Sequence, residues 1–194
     1  VVVDALNPFG NGVVIPRGSL REPLSALKYA DVCVISRADL APEAVSVIRE
    51  KITAAVPGMR FAEAAHQPAA LDDLKTGERR ELTHIHNRPV ILVSGIGSPS
   101  GFELTARSLG VQVQHHLIYP DHWSYQSLDI QQILFCMEKY GARDVLTTAK
   151  DAVKLKPLMD EFPDGTGIFS LAIEMRVLNG QEVLSDAVIS IFHA

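Results

Sequence analysis

Cysteine and aromatic residues are scarce: two cysteines, one tryptophan and an aromatic content of 6% in 194 residues. Cys33 and Cys136 stand far apart with no C-x-x-C neighbour, which excludes a disulfide framework and a zinc knuckle and fits a reducing cytoplasm. Positive charge is in deficit, with 18 Lys+Arg against 23 Asp+Glu. A surface that tracks a duplex needs a basic surplus to neutralise phosphates, so nucleic acid is not an expected partner, while a local anion site stays open. No apolar run approaches the ~18 residues of a spanning helix, and no signal peptide is present. Internal repeats, low-complexity tracts and the G-x-x-x-x-G-K-[ST] pattern are also missing. So is an initiator methionine. The chain opens on VVVDALNPFGNG, which reads as a buried strand ending in a carboxylate, and a truncated front is the expectation.

What is present is an ordinary globular composition, 47% hydrophobic and 21% charged, long enough for one large or two small domains. Strand-like and helix-like stretches alternate. Val1–Val3 and Asp31–Ser36 are apolar runs, separated by a loop rich in Gly, Pro and Asn with a short helix at Leu24–Lys28. Pro42 opens a helix as an N1 residue, with Val45, Ile48 and Ile52 on one stripe. Periodicity weakens over Arg60–Arg88, which reads as a linker or β-ribbon between two lobes. Pro89–Gly95 is a strongly apolar strand, and Pro99 starts a helix with Phe102, Ala106 and Leu109 on one face, closed by Gly110. Val111, Val113, His115, Leu117 and Tyr119 alternate along a strand, so His115 is expected on an apolar core face. A helix over Ser127–Tyr140, a strand at DVLTT, a short helix from Asp151, an alternating strand over Phe169–Val177 and a final helical stripe over Val183–Ile191 complete the pattern. Alternation of this kind predicts right-handed βαβ units, an α/β fold with mostly parallel sheets and flanking helices. Ligands of such sheets meet the loops at the carboxyl ends of strands.

Four of those loops carry candidate chemistry. Asp4 ends an apolar strand, the arrangement in which a carboxylate holds a nucleotide-bound Mg²⁺, although an Asp that caps a loop looks the same. SGIGSPSG places Gly95 and Gly97 between a strand and a helix start, a geometry that suits anions, although a tight βα turn is the simpler reading. In YPDHWSY, Asp121 can orient His122 or raise its pKa, although a lone loop histidine is more often simply solvated. In TTAKD, Lys150 beside two hydroxyls suits a phosphate and equally a solvated surface lysine, and Asp151 reads as the N-cap of a helix beginning at Ala152. His84 and His86, two apart with no third ligand in view, read as linker residues and not a metal site.

The order of these motifs carries more than any one of them. VVVDALNPFGNGVVIPRGSLREPLSALKYADVCVISR, then ILVSGIGSP with Phe102, YPDHWSY and TTAKDAVKL resemble the tetraacyldisaccharide 4′-kinase (lipid A 4′-kinase) family of bacteria. The resemblance runs from residue 1 to near the C-terminus and is weakest over Arg60–Arg88 and after Pro157. It implies a P-loop-kinase-like lobe remnant over 1–59, a linker ribbon over 60–88 and a Rossmann-like lobe over 89–194. It further implies ATP and Mg²⁺, an acylated disaccharide lipid as substrate, and peripheral attachment to the cytoplasmic face of the bacterial inner membrane through the missing front, this piece itself being soluble. By the same resemblance Asp4 is a Walker-B-like catalytic and Mg²⁺ contact, and Asn11 and Gly12 of the PFGNG loop contact the nucleotide. His122 orients and tunes the catalytic base, while Arg21, Gly95, Gly97, Lys150 and Asp151 line the substrate cleft. Departures from the family pattern are Ala149 in place of a glutamate, Glu103 in place of a second aromatic, and the absence of the P-loop and the D-G-F-Q aspartate. Phosphoryl transfer is positioning and electrostatics, so a chain without those parts is expected to be inactive alone. Two other readings stay open: a non-catalytic nucleotide- or anion-binding Rossmann-like module, and a degenerate kinase kept as a partner-binding subunit.

Overall fold

The computed structural model describes residues 1–192. Eight strands and five α-helices alternate along it: β1 (Val2–Asp4), β2 (Val32–Ser36), α1 (Pro42–Ala55), β3 (Arg60–Asp73), β4 (Arg79–Arg80), β5 (Pro89–Ser94), α2 (Pro99–Ser108), β6 (Gln112–Ile118), α3 (Ser127–Tyr140), β7 (Asp144–Thr148), α4 (Ala149–Leu155), β8 (Gly167–Asn179) and α5 (Gln181–Phe192). The fold is α/β with mostly parallel strand pairing, as the alternation predicts. Local chemistry sets the boundaries. Pro42 and Pro99 occupy first turns, where a missing N–H costs nothing, and α3 begins with a capping box between Gln126 and Asp129. Gly141 ends α3 in the left-handed region at φ 67°, which a residue with a Cβ enters only at a cost.

The chain forms two compact units. One comprises Val1–Gln67 together with the segment from Met175 onward. Its strands β1, β2 and the first half of β3 run parallel, with Asp4 level with Ser36 and Ser36 level with Ala64. Val3, Cys33, Ile35, Ile48 and Ile52 fill its core, so the α1 stripe lies on the strands as its spacing requires. The final helix belongs here and not with the residues before it in sequence. The backbone at Gly180 passes so close to Phe61 and Ala62 that a Cβ there would lie 2.5 Å from the Phe61 carbonyl oxygen.

The second unit spans Pro68–Glu174. Strands β6, β5, β7 and β8 lie side by side in that order and all parallel. Side chains of β5 alternate between two cores. Ile91 and Val93 face α3 with Ile130, Ile133 and Met137, and Val90 and Leu92 face α2 with Phe102 and Ala106. Strand β6 breaks the expected alternation. Val90 pairs with Val113 and the next residue, Ile91, with His115, so Gln114 is one residue too many. That bulge leaves Val111 and Val113 on the α2 side and moves Leu117 and Tyr119 to the α3 side. His115 therefore stacks on Tyr140 of α3, with ring centroids 4.9 Å apart, and the more deeply buried histidine is His116.

Candidate functional site

The polar residues of the first unit collect where its parallel strands end. Asp4 closes β1, and Arg37 follows β2 in a left-handed conformation, φ 55°, that turns its side chain back toward Asp4. Arg37 Nε donates to Asp4 Oδ1 at 2.8 Å, Nη2 donates to Oδ2, and the Leu6 amide donates to Oδ1 at 3.1 Å. This is the fork-to-carboxylate pairing that a lysine cannot reproduce. His66 lies two residues beyond Ala64 on β3 and is half-buried. Burial chiefly, and then the Arg37 charge, hold its pKa below the ordinary value against the pull of Asp4 and Asp39. Neither Arg37 nor His66 was singled out in the sequence. The signal for Arg37 was its position one residue past an apolar strand; for His66 the weak periodicity of its segment concealed the strand.

Asn11 and Gly12 shape their own loop. Asn11 donates to the Arg17 carbonyl at 3.1 Å and accepts from Val13 and Ser19, while Gly12, at φ 75°, closes a turn on Phe9. Arg21 lines an apolar hollow of about 550 Å³ with Val1–Val3, Phe9, Leu24 and Leu27.

In the second unit the chain winds outward from β5 through α2 to β6, then returns through α3 to β7 on the other side of β5. The winding reverses between β5 and β7, where open α/β sheets bind ligands. Gly95 and Thr148 stand at that point. Gly97 is open, and a Cβ on it would come no closer than 3.7 Å, to Asp121. Lys150 is exposed in the first turn of α4. Asp151 differs from its expected role. The N-cap is Thr148, whose Oγ1 accepts the Asp151 amide at 3.2 Å, and the helix starts at Ala149, three residues earlier than the sequence implied. The hydroxyl competes successfully because it returns a second bond, donating to Asp151 Oδ2 at 2.7 Å. The Asp151 side chain is fully buried. Its neighbour Tyr125 is buried too, and burial with the Asp151 charge raises the phenol pKa far above its usual value.

His122 sits at the tip of the turn after β6 with its side chain 76% exposed, its Nε2 3.8 Å from Asp121 Oδ2, so its ring is available to a ligand. Its backbone is left-handed, φ 63°. Below it lies a polar string that the sequence did not reveal. Ser94 Oγ and His116 Nε2 are 2.8 Å apart, His116 Nδ1 and Glu103 Oε2 are 3.0 Å apart, and Arg107 holds Glu103 from the next turn of α2. Serine, histidine and glutamate in this order resemble a hydrolytic triad, but Ser94 is fully buried and reaches no substrate. Asp4 and His122 belong to different units.

Fold and site together define an α/β protein whose polar side chains gather at the carboxyl ends of parallel strands. A sequence model of the family described as "Tetraacyldisaccharide-1-P 4'-kinase" matches residues 1–192. The tetraacyldisaccharide 4'-kinase of Anaeromyxobacter dehalogenans is 36% identical over 188 residues, 96% of this chain and 49% of that protein. That of Geobacter metallireducens is 32% identical over 92% of this chain and 49% of its own length. The crystal structure of LpxK from Aquifex aeolicus in complex with ATP aligns with 98% of this chain and 51% of that one, at a TM-score of 0.62 and 21% identity, a likeness of fold. This chain belongs to the tetraacyldisaccharide-1-phosphate 4′-kinase family. It spans about half the length of the curated relatives it matches.

Proposed function

We propose that this chain is part of a kinase that transfers the γ-phosphate of ATP to the 4′-hydroxyl of a tetraacyl glucosamine disaccharide 1-phosphate in lipid A biosynthesis. The observation that carries the reading is the family match across residues 1–192, which includes every motif singled out above. In this reading residues 1–59 are the tail of the kinase lobe, Arg60–Arg88 carries the connection, and the residues after it supply the second lobe, apart from the final segment from Met175, which belongs to the first compact unit. Asp4 would be the Mg²⁺ contact: its Oδ2 accepts only from Arg37 Nη2 and keeps a lone pair for an ion, and Mg²⁺ needs only one or two carboxylates, its shell completed by water and phosphate oxygens. Among the described residues no larger group of His, Cys, Asp and Glu gathers that could hold a metal. The ion, when bound, would neutralise charge at the β- and γ-phosphates. Arg37 holds the Asp4 carboxylate in place and brings a guanidinium to the same strand ends. His122 is exposed and carries an adjacent carboxylate, which suits a group that orients and tunes the base taking the sugar proton. Gly97 and Lys150 leave room and positive charge at the point where the sheet reverses. In this reading the whole enzyme works at the cytoplasmic face of the inner membrane, held peripherally, where it would meet a lipid substrate; among the described residues no helix is long and apolar enough to cross a membrane.

The test is ATP-dependent phosphorylation of the purified disaccharide by the full-length protein. Asp4→Asn and His122→Ala are each expected to lower kcat by ~100-fold or more. Absence of activity in the parent protein sinks the reading. This chain alone, which lacks the amides and lysine of a P-loop, is expected to show no turnover.

A further inference from the structure

The backbone of Gly95 joins two parts of the second unit that are distant in sequence. Its N–H lies beyond the end of the β5 ladder, which stops pairing with β7 at Val93 and Thr147. A buried amide without a strand partner must find another acceptor, and here it is Asp151 Oδ2 at 3.0 Å. The Gly95 carbonyl, on the other side, accepts the His122 amide at 3.2 Å. One residue earlier the Ser94 carbonyl accepts Tyr119 at 2.8 Å, so the turn that carries His122 hangs from Ser94 and Gly95 by two backbone hydrogen bonds. Contact is as close as the bonds suggest. A Cβ on Gly95 would lie 3.1 Å from the Pro120 oxygen, 3.2 Å from Asp151 Oδ1 and 3.3 Å from Trp123 Cβ. Trp123 in turn is anchored to α3 through Nε1 and Asp129 Oδ2, 3.1 Å apart.

We propose that Asp151 is a positioning residue for His122, acting through the Gly95 peptide; this rests on the reading of His122 as a catalytic group. Asp151 is fully buried and touches no ligand itself. It is a charged acceptor, which holds an amide more tightly than a neutral one, and it is fixed in turn by the Thr148 hydroxyl. The height of the Gly95 peptide therefore sets the height of the His122 turn. The His122 amide also donates to Asp121 Oδ1 at 3.0 Å, a bond inside the turn, so the Gly95 carbonyl is the acceptor that ties this amide to the sheet.

Two readouts test this. In the 194-residue chain, Asp151→Ala is expected to speed amide hydrogen exchange at Gly95 and His122 by ~10-fold or more while Val93 and Leu146 keep their protection. Asp151→Asn, which retains a carbonyl acceptor, restores most of that protection. In the full-length enzyme Asp151→Ala is expected to lower kcat by ~10- to 100-fold with KM for ATP and lipid unchanged, and Asp151→Asn to recover part of the loss. If Asp151→Ala does not fold, Gly95→Ala decides. It crowds both the 120–123 turn and the Asp151 carboxylate without deleting either, and should give the same local exchange and the same kcat loss. Unchanged exchange at His122 in the folded Asp151→Ala chain, or in Gly95→Ala, overturns the proposal. So does a loss of activity that appears in KM alone. If the full-length parent has no kinase activity the functional reading fails, whereas the exchange readout still decides whether Asp151 positions the turn.

Discussion

His116 Nδ1 lies 3.0 Å from Oε2 of Glu103, and because an ionised carboxylate only accepts, the imidazole donates there and its Nε2 accepts the Ser94 hydroxyl. That arrangement is complete with a neutral ring. Burial is the main reason the His116 pKa falls below its ordinary 6.5, and the hydrogen bond that the ring donates to Glu103 recovers only part of the loss.

The pH dependence of stability follows. The unfolded chain takes up a proton at His116 as pH drops through about 6.5, while the folded chain resists until a lower pH. Stability from this group is thus full well above that value and is lost progressively as pH falls through it toward the lower folded-state pKa. His66, lowered for a similar reason, adds to the same trend. Glu103 acts in a lower window: Arg107 and His116 hold its pKa below 4.5, so its contribution is lost only under stronger acid. Urea unfolding at pH 7 and 5.5 should show His116→Gln with a shallower loss than the parent. An equal slope removes His116 from the account.

Arg37→Met should destabilise the chain by about 1–3 kcal/mol, because it leaves the Asp4 carboxylate, 24% exposed, without its two strongest donors. Asp4→Asn with Arg37→Met should cost less than the sum of the single changes, since the second change removes the stranded charge. Additive losses in a double-mutant cycle by urea unfolding would mean the pair is not coupled.

Thr148→Val removes the α4 cap and the hydroxyl that secures Asp151. The expected cost is about 1–2 kcal/mol, with Thr148→Ser close to neutral, read from thermal unfolding. Equal losses for valine and serine would put the effect in packing and not in the hydroxyl.

Deleting Gln114 removes the one residue that β6 has in excess of β5. His116 and Leu117 should keep their present faces, so the chain is expected to fold with a loss below about 1.5 kcal/mol and with the His116 imidazole shifts of the parent. A chain that fails to fold, or a displaced His116 signal, would make the bulge itself a requirement of the sheet.

Sequence periodicity alone was enough for the order and type of nearly every element, because buried strands and amphipathic helices repeat their apolar residues at different intervals. Pro42, Pro99 and Gly141 marked helix ends since their backbone restrictions act within one turn. Asp4 was legible as a candidate for the same reason: an acid at the end of an apolar run needs no partner to be noticed.

Tertiary structure decided what depends on neighbours far along the chain. A single extra residue in β6 exchanged the roles of His115 and His116, and no periodicity within β6 discloses a bulge that only the pairing with β5 defines. The Asp151 carboxylate turned inward because a buried amide 56 residues away needed its oxygen. Arg37 found Asp4 across 33 residues through the parallel register of β1 and β2. Local sequence sets which backbone each segment prefers. Which polar group meets which is settled only when strands align and every buried donor must be paired.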